Sequence, residues 1–300
     1  MFMYRERMES RPWSLSKLNK LGVSLATGVP APEDVPAYAD VMRWYDSHTS
    51  AARKILSRQP WRSAIGEREF GLSSRTKTVD TLVEKLQRND KMMLARVDDI
   101  SGVRLEMDMT MREQDAVAEA IADEFNRVAE KPCKVKDLRA QDHQGYRAVH
   151  VIAYAGAPLE IQVRTTLQSE WANLYEEFAD KFGRSVRYTD GKQHEVVEAV
   201  ALLLRQMSTR FVATLETTAL QLLDLQAPTA QARANVEQNR SAMSSREKRR
   251  FDREVESLEE RRRELRDQHE SATQLLRGNM SALRTGIQTG DFSALTDWKG

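Results

Sequence analysis

The chain has 300 residues, of which 40% are hydrophobic, so it can bury one sizeable core and still carry extensions. Its 46 basic and 45 acidic side chains nearly cancel, which excludes a global field that would draw it onto nucleic acid or a membrane. A single cysteine excludes an intramolecular disulfide and a cysteine-rich zinc site. Together with the lack of a long apolar stretch, it predicts a cytoplasmic protein with no membrane partner.

Residues 1–66 are predicted to form a helical N-terminal extension. The stretch from Ser14 to Leu25 is short and amphipathic, a proline-rich breaker follows it, and helical spacing returns from Ala37 to Leu56. No pattern in this extension indicates chemistry.

Residues 67–190 alternate between helical and strand patterns. The predicted elements are a helix after Thr78, a strand near Val103 to Met109, a helix from Thr110 to Val128, and strands near Tyr146 to Tyr154 and Leu159 to Arg164. This alternation predicts an α/β or α+β domain around a mixed sheet.

Residues 191–300 are predicted to be helical throughout. An apolar-rich helix runs to Gln226, a break follows at Ala227 and Pro228, and a capping box from Ser244 to Glu247 starts a charged helix. A narrow apolar stripe on that helix favours a helical hairpin or coiled coil. The stripe consists of Phe251, Val255, Leu258 and Leu265. Because both signs of charge are interleaved around it, we interpret the charged face as solvated, on a tail that packs, oligomerises or binds a partner.

The strand from Leu159 to Arg164 alternates strictly between apolar and polar residues. Glu160, Gln162 and Arg164 therefore stand together on one face of the predicted sheet. A carboxylate beside a guanidinium on such a face indicates a binding or catalytic site. The alternative is an ordinary amphipathic strand with an exposed ion pair.

The preceding strand is predicted to open at Gly145, with Tyr146 and His150 on one side of it. The glycine permits close approach of the backbone, and the tyrosine ring is suited to stacking on a base. The alternative is a half-buried tyrosine that only packs.

A group of cations and a hydroxyl lies around the start of the helix after Thr78. Lys77, Thr81 and Lys85 follow one side of that helix, and Arg75 precedes it. Helix N-terminal amides attract phosphate, so the group predicts a triphosphate cradle, with an ordinary basic helix surface as the alternative. Asp99, which precedes the next strand, and Glu160 would suffice as the protein ligands of Mg²⁺, because phosphates and water complete its shell.

In combination these residues resemble the synthetase domain of the RelA/SpoT family, over a stretch from about Ser74 to Arg187. The family's patterns are matched by Arg75, Lys77, Thr81 and Lys85, by Asp99 and Arg104, by Gly145, Tyr146 and His150, and by Glu160, Ile161, Gln162, Arg164 and Thr165. Leu138, after Lys136 and Asp137, stands where the family has an aromatic residue.

The resemblance implies an α+β fold with a mixed sheet related to DNA polymerase beta-like nucleotidyltransferases. It also implies Mg²⁺-dependent transfer of the β,γ-pyrophosphate of ATP to the ribose 3′-hydroxyl of GDP or GTP, which makes (p)ppGpp. The implied ATP-binding residues are Arg75, Lys77, Thr81, Lys85 and Arg104. The implied catalytic and metal-binding residues are Asp99 and Glu160. The implied acceptor-binding residues are Tyr146, His150, Arg164, Gln162 and Lys136.

Two other hypotheses remain open. A toxin branch of the same family pyrophosphorylates the 3′ end of tRNA, and a local basic path suits that acceptor. The path consists of Lys131, Lys134, Lys136, Arg139, Arg184 and Arg187. An antitoxin, or a second copy of the chain, would then bind the C-terminal helices. The third hypothesis is a catalytically silent helical interaction protein that has kept the fold.

Overall fold

A computed structural model describes residues 8–89, 93–140, 144–183, 186, 195–239 and 243–292. The chain divides into two compact units. The first comprises Met1–Met109, Glu113–Gln141 and Ala148–Thr166, and the second comprises Thr110–Arg112, Asp142–Arg147 and Leu167–Gly300. The domain limits predicted at residues 67 and 191 stay predictions.

Helices and strands alternate in the first half of the chain, and helices alone follow. The helices are α1 (Leu15–Thr27), α2 (Tyr38–Leu56), α3 (Arg62–Ile65), α4 (Val79–Arg88), α5 (Met111–Asn126), α6 (Thr166–Phe182), α7 (Glu195–Gln206), α8 (Ala213–Asp224), α9 (Gln226–Asn239) and α10 (Ser245–Thr289). The strands are β1 (Phe70–Thr76), β2 (Ser101–Met107), β3 (Lys134–Asp137), β4 (Val149–Ala155) and β5 (Ala157–Thr165). None of the helices in these described stretches is both long and apolar enough to cross a membrane.

The strands of the first unit form one five-stranded sheet in the order β1-β2-β5-β4-β3. β2 and β5 are parallel, whereas the other neighbouring pairs are antiparallel. The predicted α+β class with a mixed sheet is therefore confirmed.

One face of this sheet is the core of the first unit. Leu159, Ile161 and Val163 of β5 are each 0% exposed, as the alternating pattern predicts. α5 covers them with an apolar stripe at helical spacing. The Gln114 amide of α5 also donates to the Val163 carbonyl oxygen at 2.9 Å. The apolar face is thereby closed, and the polar side chains of the strands are left on the opposite face.

The second unit is a set of helices around its own core. α6, α7 and α10 supply buried side chains to it, among them Leu174, Leu204 and Leu283. Residues 207–212 form a π-helical turn between α7 and α8. The predicted capping box is confirmed, since Ser244 and Glu247 exchange both hydrogen bonds at the start of α10.

Two predicted boundaries are wrong. β4 begins at Val149 rather than Tyr146, because Gly145 has a φ of +85° and the chain turns before it joins the sheet. Pro228 does not separate two helices as predicted. It lies in the first turn of α9, where a missing backbone N–H costs no hydrogen bond. The strands β1 and β3 and the helix α6 were not predicted, and α9 was predicted only as part of a region that is helical throughout.

Candidate functional site

The polar face of the sheet gathers several of the predicted residues within the first unit. Gln162 of β5 is the Cα partner of Arg104 on β2 and of His150 on β4. Residues paired in this way project to the same face. Lys136 of β3 is in turn the partner of His150, so the row crosses four strands.

Glu160 is held from both sides by hydrogen bonds. The Nδ1 of His150 lies 3.0 Å from Glu160 Oε1, and Gln162 Nε2 donates to Oε2 at 2.7 Å. Since an ionised carboxylate only accepts, His150 carries its proton on Nδ1 in this contact. Arg164, which is 1% exposed, donates to Gln162 Oε1 at 2.7 Å and so orients the amide. Arg164 therefore acts on Glu160 indirectly, by orienting the Gln162 amide that donates to it.

These contacts keep Glu160 ionised. Burial raises the pKa of its carboxyl, but the hydrogen bond and charge of His150 and the amide of Gln162 outweigh burial. The net pKa of Glu160 lies below its usual value, even though the Asp99 carboxylate acts in the opposite direction.

Asp99 is clamped between two ammonium groups. Lys77 Nζ lies 2.8 Å from Oδ2, and Lys85 Nζ lies 2.8 Å from Oδ1. The backbone N–H of Lys77 donates to the Ile100 carbonyl at 3.1 Å, which ties the chain before α4 to the chain before β2. Burial raises the pKa of Asp99, but the charges and hydrogen bonds of Lys77 and then Lys85 lower it below its usual value.

The two carboxylates fit a magnesium ion that is shared with phosphate groups. Asp99 raises the pKa of Glu160 through its charge, so their negative charges act on one another. Both offer the ionised oxygen atoms that Mg²⁺ prefers, and Mg²⁺ needs only one or two protein carboxylates beside phosphate and water. Among the residues described, no group of three or more His, Cys, Asp or Glu side chains could hold a metal by itself.

The remaining residues of the predicted ATP set lie on β1, α4 and β2. The Thr81 hydroxyl donates to the Thr78 carbonyl at 2.9 Å in the first turn of α4. Arg104 is half-buried in β2. Arg75 lies in β1 as the Cα partner of Gly102, and its side chain falls outside the described part of the structure.

The basic path predicted for tRNA is only partly present. β3 is an exposed edge strand, and the Nζ of Lys131 lies 3.6 Å from the centre of the Tyr154 ring. Lys136 Nζ lies 3.7 Å from Asp98 Oδ2. Arg139 is bound by Asp137 and Asp115 instead of facing solvent. Two further members of the path, Arg184 and Arg187, lie outside the described residues.

Tyr146 belongs to the second unit. Its side chain is half-buried and packs against the core of that unit. The neighbouring Arg147 makes an ion pair with Glu216 of α8, which sequence reasoning missed. A lone acidic residue within the apolar stretch from Phe211 to Leu223 was the signal that could have found it.

We expect the stability contributed by Asp99 to disappear in acid. A carboxyl whose folded pKa is depressed stabilises the fold above its ordinary pKa of about 4, and this stability is lost as the pH falls through the folded value. Melting temperatures of wild type and Asp99→Asn should therefore differ by a constant amount above about pH 5 and converge below about pH 4. A difference that stays the same from neutral pH down to the lowest pH at which the protein still folds would show that the charge of Asp99 does not stabilise the fold.

Comparison with known proteins adds the following matches. A family model described as a region found in RelA / SpoT proteins matches residues 74–181. The uncharacterized proteins Mb1401 of Mycobacterium bovis and Rv1366 of Mycobacterium tuberculosis are each 39% identical over 197 residues, which cover 65% of this chain and 70% of theirs.

Solved structures also match. Small alarmone synthetase 1 from Bacillus subtilis bound to its product pppGpp is 19% identical, with a TM-score of 0.43, over 61% of this chain and 92% of that chain. A GTP pyrophosphokinase family protein from Streptococcus pneumoniae is 16% identical, with a TM-score of 0.43, over 69% of this chain and 98% of that chain.

Proposed function

The chain belongs to the RelA/SpoT family of pyrophosphokinase-type transferases, and on that premise we propose that it transfers the β,γ-pyrophosphate of ATP to the ribose 3′-hydroxyl of GDP or GTP. The observation that carries the proposal is the pair of ionised carboxylates, Glu160 on the polar face of the sheet and Asp99 just before β2. Each carboxylate is oriented by two donors of the same unit.

The cations around Asp99 supply the binding of the triphosphate. Lys77 and Lys85 are point charges on flexible stems, so the ammonium groups that now hold Asp99 can also bind phosphate oxygens. Arg104 and Arg75 add guanidinium groups from β2 and β1, and Thr81 adds a hydroxyl at the start of α4. Neutralising the triphosphate lowers the cost of charge developing on the leaving AMP.

Mg²⁺ is the proposed cofactor, and Asp99 and Glu160 are the residues that would hold it. When bound, it would supply charge neutralisation of the pyrophosphoryl group.

Glu160 is the proposed general base. The acceptor 3′-oxygen attacks the β-phosphorus of ATP, the bond from that phosphorus to the α-β bridging oxygen breaks, and AMP leaves. The proton of the 3′-hydroxyl passes to the Glu160 carboxylate, which is ionised for this purpose at neutral pH. His150 and Gln162 hold that carboxylate in place.

The acceptor is proposed to bind through Tyr146, His150, Gln162 and Lys136. Tyr146 would stack on the base. Arg164 is assigned to the acceptor side through Gln162, because its side chain is buried and donates to that amide.

A second candidate acceptor is the 3′ end of tRNA. The exposed edge strand β3 favours it, because Lys134 and Lys136 present positive charge on a surface that phosphates can reach. In that case an antitoxin or a second copy of the chain would bind the C-terminal helices. A catalytically silent protein is the poorest account, because both carboxylates that the transfer would need, Asp99 and Glu160, are present and ionised.

The acceptor is tested by offering GDP, GTP and deacylated tRNA separately to the purified protein with ATP and magnesium. We expect 3′-pyrophosphorylated guanosine nucleotide from GDP or GTP, with no modified tRNA. Modification of tRNA alone would replace the first candidate by the second. No transfer to any of the three by folded, ATP-binding protein would contradict both candidates.

A further inference from the structure

A buried ion pair in the second unit holds the segment that carries Tyr146. The Arg147 side chain is 11% exposed and that of Glu216 is 4% exposed. Arg147 donates to Glu216 Oε2 from Nε at 3.1 Å and from Nη2 at 2.6 Å. Gln168 of α6 donates to the other oxygen, Oε1, at 2.5 Å. Both oxygens of the Glu216 carboxylate are thus engaged.

The backbone on the other side of Tyr146 is held by the same unit. Ser208, in the π-helical turn, donates its hydroxyl to the Gly145 carbonyl at 2.5 Å. A Cβ on Gly145 would lie 3.0 Å from the Trp171 ring and 3.2 Å from the Cα of Arg205, and the φ of +85° also favours glycine. Tyr146 therefore lies between two anchored residues.

Stability alone does not account for this ion pair. Removing two charges from water is costly, and well-packed apolar side chains in place of a buried pair are often neutral or stabilising. The surrounding core is already apolar, so an apolar pair at these positions would suit it. What the pair adds is a fixed direction for the chain at Arg147, immediately after Tyr146.

We infer that Glu216 is a positioning residue for the acceptor nucleotide. Through Arg147 it sets the place of Tyr146, so that the ring is pre-ordered for stacking on the acceptor base. The inference rests on the proposed function, and it gives α8, which lies beyond the residues 74–181 that the family model matches, a part in acceptor recognition.

The test is Glu216→Gln, which keeps the shape of the side chain and removes its charge. We expect the KM for GDP to rise about five- to tenfold, because the stacking of one base is at stake, while the KM for ATP stays within about twofold. Tyr146→Ala should raise the same KM. The KM for GDP of the double variant should be no higher than that of the more impaired single variant. Glu170→Gln, which breaks an exposed ion pair with Arg277 in the same unit, is the matched control and should change neither KM.

A second variant separates positioning from folding. Arg147→Met with Gln168→Leu and Glu216→Leu replaces the pair and the amide bound to it by apolar side chains, so it should melt at or above the wild-type temperature and still show the raised KM for GDP. A wild-type KM for GDP in this variant, or equal losses for ATP and GDP, would overturn the inference. Equilibrium binding of GDP is measured alongside. If the wild type binds GDP but transfers nothing, the proposed function is refuted, and the GDP affinities of wild type and variants still decide the role of Glu216.

Discussion

Glutamine in place of Glu160 is expected to lower the rate of pyrophosphate transfer by about 10³-fold while ATP affinity changes by less than about threefold. Glutamine matches the volume of the side chain and can still accept from His150, so the sheet should stay intact although the hydrogen bond from Gln162 is lost. It can neither take the proton of the acceptor hydroxyl nor contribute a negative charge to a metal ion. The measurements are single-turnover release of AMP and equilibrium binding of ATP.

The matched control for this prediction is Glu119→Gln, which changes an exposed carboxylate on α5 of the same unit. Its transfer rate and its ATP affinity should equal those of the wild type. If Glu160→Gln kept more than about a tenth of the wild-type rate, Glu160 could not be the general base.

Asparagine in place of Asp99 is expected to abolish transfer to a similar extent and also to destabilise the protein. The Lys77 and Lys85 side chains are only 14% and 24% exposed, and asparagine would leave their two ammonium groups facing each other without a carboxylate between them. Breaking one side of such a pair costs on the order of 1–3 kcal/mol when it is partly buried. Denaturant unfolding and AMP release measure the two effects.

A double variant, Asp99→Asn with Lys85→Gln, separates these two effects. Removing one ammonium relieves the repulsion, so stability should recover while transfer stays lost. Asp40→Asn, in an exposed ion pair with Arg43, should change neither quantity. Recovery of transfer in the double variant would show that Asp99 matters only for folding.

The site on the sheet could be predicted because its signals are local. In β5 a strict alternation from Leu159 to Val163 assigns one face to the core and the other to Glu160 and Gln162, and the structure has this arrangement. The spacing of Lys77, before α4, and Lys85, in its last turn, likewise brings both to one carboxylate. In each case neighbouring residues determine the direction of the side chain.

The anchoring of Tyr146 could not be predicted, because it depends on contacts that are distant in sequence. The alternation from Tyr146 onward predicts a strand. In the structure Ser208 binds Gly145 and Glu216 binds Arg147, and strand pairing begins only at Val149. β3 was missed for a different reason. All four of its residues are exposed, so it carries no pattern of burial.

In the proposed reaction a pyrophosphoryl group moves as one unit from ATP to a ribose 3′-hydroxyl. The most direct measurement uses ATP labelled at both the β- and γ-phosphorus, with GDP as the acceptor, and follows each label and the adenine nucleotide released. We expect both labels to arrive together on GDP, with one AMP formed for each acceptor modified. Transfer of the γ-label alone with release of ADP would contradict it.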